Sequence, residues 1–245
     1  RKVTGPLEKE LARERVMEEN QRLFFSAASH ELKTPIAATE ALIEGMIANI
    51  GDYRNHPKYL RECLKNLDAQ NRLVSEILEL VKLSDDKAGP LLVPLDAGEL
   101  CKALAAEYRP LAEQRGIEIR AALPGLMVRA DRGLLHRSLS NVMANAVQNT
   151  RENGAVRIAA ERRGKAVRVS VLNTGAYIPE ESLSRLFEPF YRPDPARSRN
   201  RGRSGLGLTI VKKSLDRMGV PFALENTAEG VVFWMDLEAA DNWNS

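Results

Sequence analysis

The spacing of hydrophobic positions changes once along this chain. From about residue 7 to residue 84 the period is helical. Phe25, Ser29, Leu32, Ile36, Thr39, Ile43, Met46 and Ile50 recur with alternating spacings of four and three. A second row, Leu60, Leu64, Leu67, Asn71, Val74, Leu78 and Val81, repeats that rhythm. Such rows are the seams of coiled coils and helical bundles. Between them, Gly51-Asp52-Tyr53-Arg54-Asn55-His56-Pro57 supplies a helix-stopping glycine and a proline suited to a helix start. The two arms therefore form an antiparallel hairpin over residues 23–84, preceded by a helical extension over 1–22. Two helices bury little surface alone whereas four make a bundle, so the hairpin predicts a homodimer. Asn71 in the seam reads as a register-fixing polar residue.

Residues 85–90 carry no periodicity and end in Gly89-Pro90, which marks a linker. Beyond it, over 91–240, helices and strands mix. Asp96 with Glu99 and then Asp131 open helices reaching about Arg115 and Asn149. Val156, Ile158 and Ala160, then Val167, Val169 and Val171, alternate as paired strands do across Arg163-Gly164-Lys165. Val231, Phe233, Met235 and Leu237 make a closing strand. The expected fold class is thus a helical hairpin forming a dimeric four-helix bundle, followed by an α/β sandwich with helices on one face of a sheet.

Composition narrows the possibilities. With 44% hydrophobic and 28% charged residues in 245, the chain can fill two cores, which excludes wholesale disorder. Its 36 Lys and Arg against 33 Asp and Glu leave +3, so charge gives no reason to expect nucleic-acid binding. Cys63 and Cys101, with three histidines in all, have no metal-like spacing, which argues against a disulfide framework or a metal cluster. No stretch approaches the ~20 apolar residues of a membrane span. The start at Arg1 suggests a fragment, with room for a membrane segment upstream.

Chemistry concentrates in a few places. His30 falls on the outer flank of its helix, beside Glu31 and one turn before Thr34, with Pro35 expected to kink the helix just beyond. An exposed imidazole oriented by a carboxylate suits attack on phosphorus. A lone surface His beside Glu is ordinarily a solvated residue, and it is the remaining pattern that gives this one a role. Gly202-Arg203-Ser204-Gly205-Leu206-Gly207-Leu208 runs into an apolar helix, and glycines at a helix start let backbone approach phosphates. Ahead of it lie Arg192, Arg197, Arg199, Arg201 and Arg203, which could cover a triphosphate. Asn141, Asn145 and Asn149 repeat at i, i+4 and i+8, and amide oxygens can complete the shell of Mg²⁺. Asn173-Thr174-Gly175-Ala176-Tyr177-Ile178 ends a strand in a polar residue and a glycine turn.

In this order the pieces resemble the cytoplasmic half of a two-component sensor histidine kinase, from about Leu23 to Leu237. Ser29 to Pro35 is similar to the family's H-box and Asn141 to Ala146 to its N-box. Phe187-Glu188-Pro189-Phe190-Tyr191 is similar to the F-box, and Gly202 to Leu208 to the second glycine box. The resemblance implies an ATP-binding fold of the histidine kinase and gyrase type over 91–240, and a membrane-proximal origin for residues 1–22. It implies His30 as phosphoacceptor, Glu31 as its acid/base partner and Thr34 as the residue orienting water for dephosphorylation of the regulator. ATP would lie against Asn141, Asn145, Gln148 and Asn149 of one helix, with Mg²⁺ at Asn145. Asn173, Gly175 and Ile178 would line its base, with Phe187 and Phe190 beside it. Arg203, Ser204, Gly205, Leu206, Gly207 and Leu208 would hold its phosphates.

Three departures stand out. Asn173 takes the place of the family's adenine-binding Asp and Tyr177 that of a glycine, while Gln148-Asn149 replaces a common Lys-aromatic pair. At finer grain, Ser26 to Ala38, Glu44 to Tyr53, Tyr59 to Lys65 and Gly202 to Met218 are similar to VanS-type sensors of vancomycin resistance. That implies autophosphorylation of His30 and transfer to an aspartate in the receiver domain of a VanR-like response regulator. It also implies a place at the cytoplasmic face of the cell membrane. Two alternatives are a protein that chiefly dephosphorylates its regulator, with ATP as ligand, and a non-catalytic dimeric scaffold.

Overall fold

The computed structural model describes residues 4–85, 88–193 and 204–240. The chain forms two compact units, with a break between Leu78 and Glu79 and with Ser204 grouped with the first unit.

The first unit is the expected hairpin. Helix α1 spans Thr4–Ala48, a 3-10 turn spans Gly51–Arg54, and α2 spans His56–Asp85. Asn49 and Gly51 both take φ of 53°, the left-handed geometry that ends α1. Asn55 Oδ1 accepts from the Lys58 amide at 3.3 Å and starts α2. Asp52 fastens the turn, accepting from Tyr59 Oη at 2.7 Å and Lys58 Nζ at 2.5 Å, and these donors hold its carboxyl below the usual range. Tyr53 stacks on Tyr59 with centroids 4.7 Å apart and lies so close over Gly45 that a Cβ there would meet its ring at 2.7 Å. The helix continues through Pro35, whose carbonyl accepts from Thr39 Oγ1 at 2.8 Å.

Burial separates two rows on α2. Cys63 and Leu73 are buried, with Tyr59, Asn66, Gln70 and Ile77 half-buried. Each of these six precedes by one residue a member of the row expected from the sequence. That expected row is exposed from Leu60 to Leu78, Asn71 included, with Leu64 at 59% and Leu78 at 55%, and only Val81 at its end is half-buried. On α1 the expected seam divides. Thr39 and Met46 are buried, whereas Phe25, Ile36, Ile43 and Ile50 are exposed. The hairpin therefore carries one heptad row that a single chain covers and a second that it leaves open.

The second unit is a seven-stranded sheet covered by three helices. Its elements are β1 (Val93–Asp96), α3 (Ala97–Glu113), β2 (Glu118–Ala122), β3 (Met127–Ala130), α4 (Arg132–Asn149), β4 (Ala155–Arg163) and β5 (Ala166–Thr174). After these come α5 (Glu180–Leu183), α6 (Gly207–Met218), β6 (Phe222–Asn226) and β7 (Gly230–Ala239). The strand order is β1-β3-β7-β5-β4-β2, with β6 also on β7, and all pairs are antiparallel except β2 with β4. Strands β4, β5 and β7 are those the alternation marked. Strands β1, β2, β3 and β6, of four or five residues each, are too short for a period-two signal to stand out.

Val156, Ile158, Val167, Val169, Val171, Phe233 and Met235 turn one sheet face toward Leu104, Leu135, Leu139, Met143, Val211 and Leu215. Cys101 is sealed in this core, where burial and then the nearby Asp96 charge push its thiol up to about 12. Asp96 caps α3 through Gly98 and Glu99 amides at 2.8 and 3.2 Å, and also takes the Leu126 amide at 3.2 Å. Glu99 does not complete a reciprocal capping box, because its carboxylate pairs with Lys102.

On the other sheet face Arg168 makes a two-armed pair with Asp236, Nε to Oδ1 at 2.7 Å and Nη2 to Oδ2 at 2.6 Å, while stacking on Trp234 at 3.8 Å. The guanidinium holds the Asp236 carboxyl below its usual value. A carboxyl depressed on folding stabilises above its unfolded pKa, and that stability is lost as pH falls through the folded one. Asp236→Asn should therefore cost about 1–2 kcal/mol at pH 7, and the difference should shrink as pH falls below the ordinary aspartate value of about 3.9. Urea unfolding of both proteins across that range measures it.

Candidate functional site

In the first unit His30 and Thr34 are exposed and Glu31 is half-buried. They stand in mid-helix, far from either end of α1. Thr34 Oγ1 donates to the His30 carbonyl at 3.2 Å, and Ser29 Oγ to that of Phe25 at 2.8 Å. These local bonds fix the hydroxyls on the helix and leave the imidazole edge facing outward. The outward placement of His30 and Thr34 matches the sequence expectation.

In the second unit the glycine-rich segment, the asparagine helix and the aromatic segment meet. Gly205 has φ of 78°, and a Cβ on it would lie 2.9 Å from both Cα and carbonyl carbon of Phe190. The Phe190 amide donates to the Gly205 carbonyl at 3.1 Å, and Phe190 itself takes φ of 62°. Gly207 opens α6 against α4, where a Cβ would come within 3.0 Å of Asn141 Oδ1. Leu206 is fully buried and anchors this turn, and no side chain caps the α6 N-terminus. An uncapped helix start reached through two closely packed glycines presents backbone N–H groups and a positive dipole end, which together suit phosphate. Ser204 and Leu208 flank it, both half-buried.

The asparagines run along one edge of α4. Asn141 Nδ2 donates to the Arg137 carbonyl at 3.0 Å. Asn149 Nδ2 donates to the Asn145 carbonyl at 2.8 Å and also to Asn145 Oδ1. Asn145 Oδ1 keeps a second lone pair for a cation. Among the described residues no cluster of three His, Cys, Asp or Glu side chains could hold a metal. One amide oxygen fits Mg²⁺ that brings its phosphate and water ligands with it. Gln148 is half-buried beside them.

At the end of β5, Asn173 is 7% exposed, and its side-chain amide makes no hydrogen bond to any described residue. Gly175 follows with φ of 68°, its amide on the Glu229 carbonyl at 2.9 Å. Ile178 is clamped in both directions by Asn226, whose Oδ1 accepts from the Ile178 amide at 3.0 Å and whose Nδ2 donates to its carbonyl at 2.7 Å. Tyr177 projects outward, 69% exposed, and fills no part of the turn. Phe187 lies edge-on to Phe222 at 5.3 Å. Arg192 is half-buried, while Arg197, Arg199, Arg201 and Arg203 lie outside the described residues.

Several supporting residues carry no motif. Arg115 closes the last turn of α4, Nη1 donating to Val147 and Gln148 carbonyls at 2.6 and 3.2 Å and Nη2 to that of Thr150 at 3.0 Å. Thr209 Oγ1 ties α6 to the Phe187 carbonyl at 3.1 Å. Arg151 extends across Gly175, its Cδ 3.6 Å from where a Cβ would stand. Their partners are 22 to 48 positions away for Thr209, Arg115 and Asn226, so no local pattern could flag them.

A glycine turn suited to phosphate thus stands on a helix-covered mixed sheet, in a chain that also bears an exposed histidine on a helical hairpin. Residues 130–241 match the histidine kinase-, DNA gyrase B- and HSP90-like ATPase domain, and residues 20–86 the His Kinase A phospho-acceptor domain. The sensor protein VanSB of Enterococcus faecalis is 54% identical over 94% of this chain and 52% of its own length. The histidine kinase ThkA in complex with the response regulator TrrA superposes with a TM-score of 0.73 at 26% identity, over 98% of this chain and 67% of that one. The catalytic domain of ThkA is 30% identical over 60% of this chain and 95% of its own, with a TM-score of 0.53. The chain belongs to the sensor histidine kinase family. It spans about half the length of the curated relatives it matches.

Gly205→Ala puts a side chain into left-handed backbone against Phe190 and should cost about 1–3 kcal/mol. Thermal unfolding reads that loss, and titration with a magnesium nucleotide should show weakened binding in the fraction that remains folded.

Proposed function

We propose that the chain binds Mg-ATP in the second unit, transfers the γ-phosphoryl group to His30, and passes it to an aspartate of a response-regulator receiver domain. The observation that carries this reading is the pairing, in one chain, of an exposed mid-helix His30 with a glycine turn that offers backbone N–H groups to phosphates. The imidazole nitrogen forms a bond to γ-phosphorus as the bond from that phosphorus to the β–γ bridging oxygen breaks, releasing ADP. Glu31 takes up the ring proton. The α6 N-terminus and Asn141 hold the phosphates, and positioning with electrostatics supplies most of the rate in such transfers. Mg²⁺, when bound beside Asn145, offsets charge on the phosphates. Among the described residues no helix is long and apolar enough to cross a membrane. An anchored sensor at the membrane's cytoplasmic face, acting on a VanR-like regulator of vancomycin-resistance genes, is part of the proposal and is supported by the likeness to VanSB.

With γ-labelled ATP, the wild-type chain should acquire acid-labile, alkali-stable label, and His30→Gln should acquire none. Label persisting in His30→Gln would remove His30 from the mechanism. The exposed Thr34, one turn past His30, favours a second activity, dephosphorylation of the regulator. Thr34→Ala should keep autophosphorylation within about twofold and slow regulator dephosphorylation by about tenfold or more.

The open heptad row supports a homodimer through the hairpin. Ile43, Leu64 and Leu78 are 42%, 59% and 55% exposed in the single chain, apolar positions with the spacing of a bundle seam. Leu64→Glu with Leu78→Glu should convert a dimer into a folded monomer in sedimentation equilibrium, with helix content unchanged. A wild-type monomer across the micromolar range would contradict the dimer.

A further inference from the structure

Buried polar groups are normally hydrogen-bonded, and one left without a partner costs about 1–3 kcal/mol. Asn173 meets that rule only through solvent, and in an informative place. It is the fourth member of the row Val167, Val169, Val171, Asn173 on the helix-covered face of β5. Its sheet neighbours are Val156 and Val231, 0% and 4% exposed. It is 93% buried by the same measure that leaves it 7% exposed, yet its amide has no hydrogen-bond partner among the described residues. Its polar atoms keep access to solvent. A nearly enclosed amide that the protein leaves unsatisfied, beside the Gly175 turn, points to a ligand that completes it.

A primary amide offers an acceptor, Oδ1, next to a donor, Nδ2. The adenine edge presents N6–H as donor beside N1 as acceptor. The guanine edge presents the reverse, O6 as acceptor beside N1–H as donor. Turning the amide about its last side-chain torsion exchanges its two groups and matches either edge. A carboxylate at this position, the residue type of the family pattern, only accepts. In the pose that accepts the adenine amino group, it would set its charge against guanine O6.

We propose that Asn173 gives this nucleotide site a relaxed purine selectivity, so that it takes guanine as well as adenine nucleoside triphosphates. This rests on the reading that the second unit binds a nucleoside triphosphate with its base at Asn173. Within that reading Asn173 is a specificity-determining residue, not part of the phosphate machinery.

The test is calorimetric titration of the whole chain with the magnesium complexes of the non-hydrolysable analogues AMPPNP and GMPPNP. Wild type should bind the two with dissociation constants within about tenfold of each other. Asn173→Asp should keep AMPPNP and weaken GMPPNP by about tenfold to hundredfold, the span of one mismatched base-edge contact. Asn173→Ala, which introduces no charge, should weaken both and keeps the test available if the Asp variant does not fold by circular dichroism. Wild type binding AMPPNP more than about a hundredfold tighter than GMPPNP would overturn the proposal, as would an Asn173→Ala variant with both affinities unchanged. Failure of wild type to bind either analogue would instead defeat the nucleotide-binding reading itself.

Discussion

The close approach of two glycines to neighbouring backbone and side chain is the constraint on which the second unit's chemistry depends. Gly205 lies against Phe190 and Gly207 against Asn141, so the turn before α6 is held from two directions, with no room for a Cβ at Gly205 and only a tight fit at Gly207. Leu206 between them is buried completely, which pins the turn into the core while its neighbours face outward. Because the α6 start cannot shift without breaking these contacts, its N–H groups stay fixed where charge must be received. Preorganised dipoles of this kind need no rearrangement when a phosphate arrives.

A second layer of interactions holds that arrangement. Arg115 gathers three carbonyls at the end of α4, so the cation meets the negative end of the helix that carries Asn141, Asn145 and Asn149. Thr209 connects α6 to the aromatic segment, and Asn226 fixes the exit from β5 at Ile178. The polar side chains facing the candidate nucleotide are thus mostly tethered by backbone bonds, with Asn173 as the exception. The first unit follows a different logic. His30 needs no pocket of its own, only exposure on a rigid helix where larger partners can reach it.

The hairpin illustrates a limit of periodicity. Two rows offset by a single residue both run at spacings of three and four on α2, and a side chain's identity does not say which row meets the other arm. Leucines and valines dominate the exposed row, while the covered one includes Cys63, Asn66 and Gln70. The stronger hydrophobic signal therefore belongs to the face that the single chain leaves open, which is why the sequence pattern found that row and passed over its neighbour.

The sequence by itself determined the local facts. Helical spacing over residues 7 to 84, the alternation in β4, β5 and β7, the caps at Asp96 and Asp131, and the chemical character of His30 and the glycine turn all follow from residues a few positions apart. Only the tertiary structure decided the short strands β1, β2, β3 and β6, whose formation depends on hydrogen bonds from distant neighbours. It also decided that Arg115, Thr209 and Asn226 brace the site, and that the Asn173 amide is enclosed without a protein partner. Short-range propensity sets which element a segment prefers, but a side chain's enclosure and its hydrogen-bond partners are properties of segments brought together from afar.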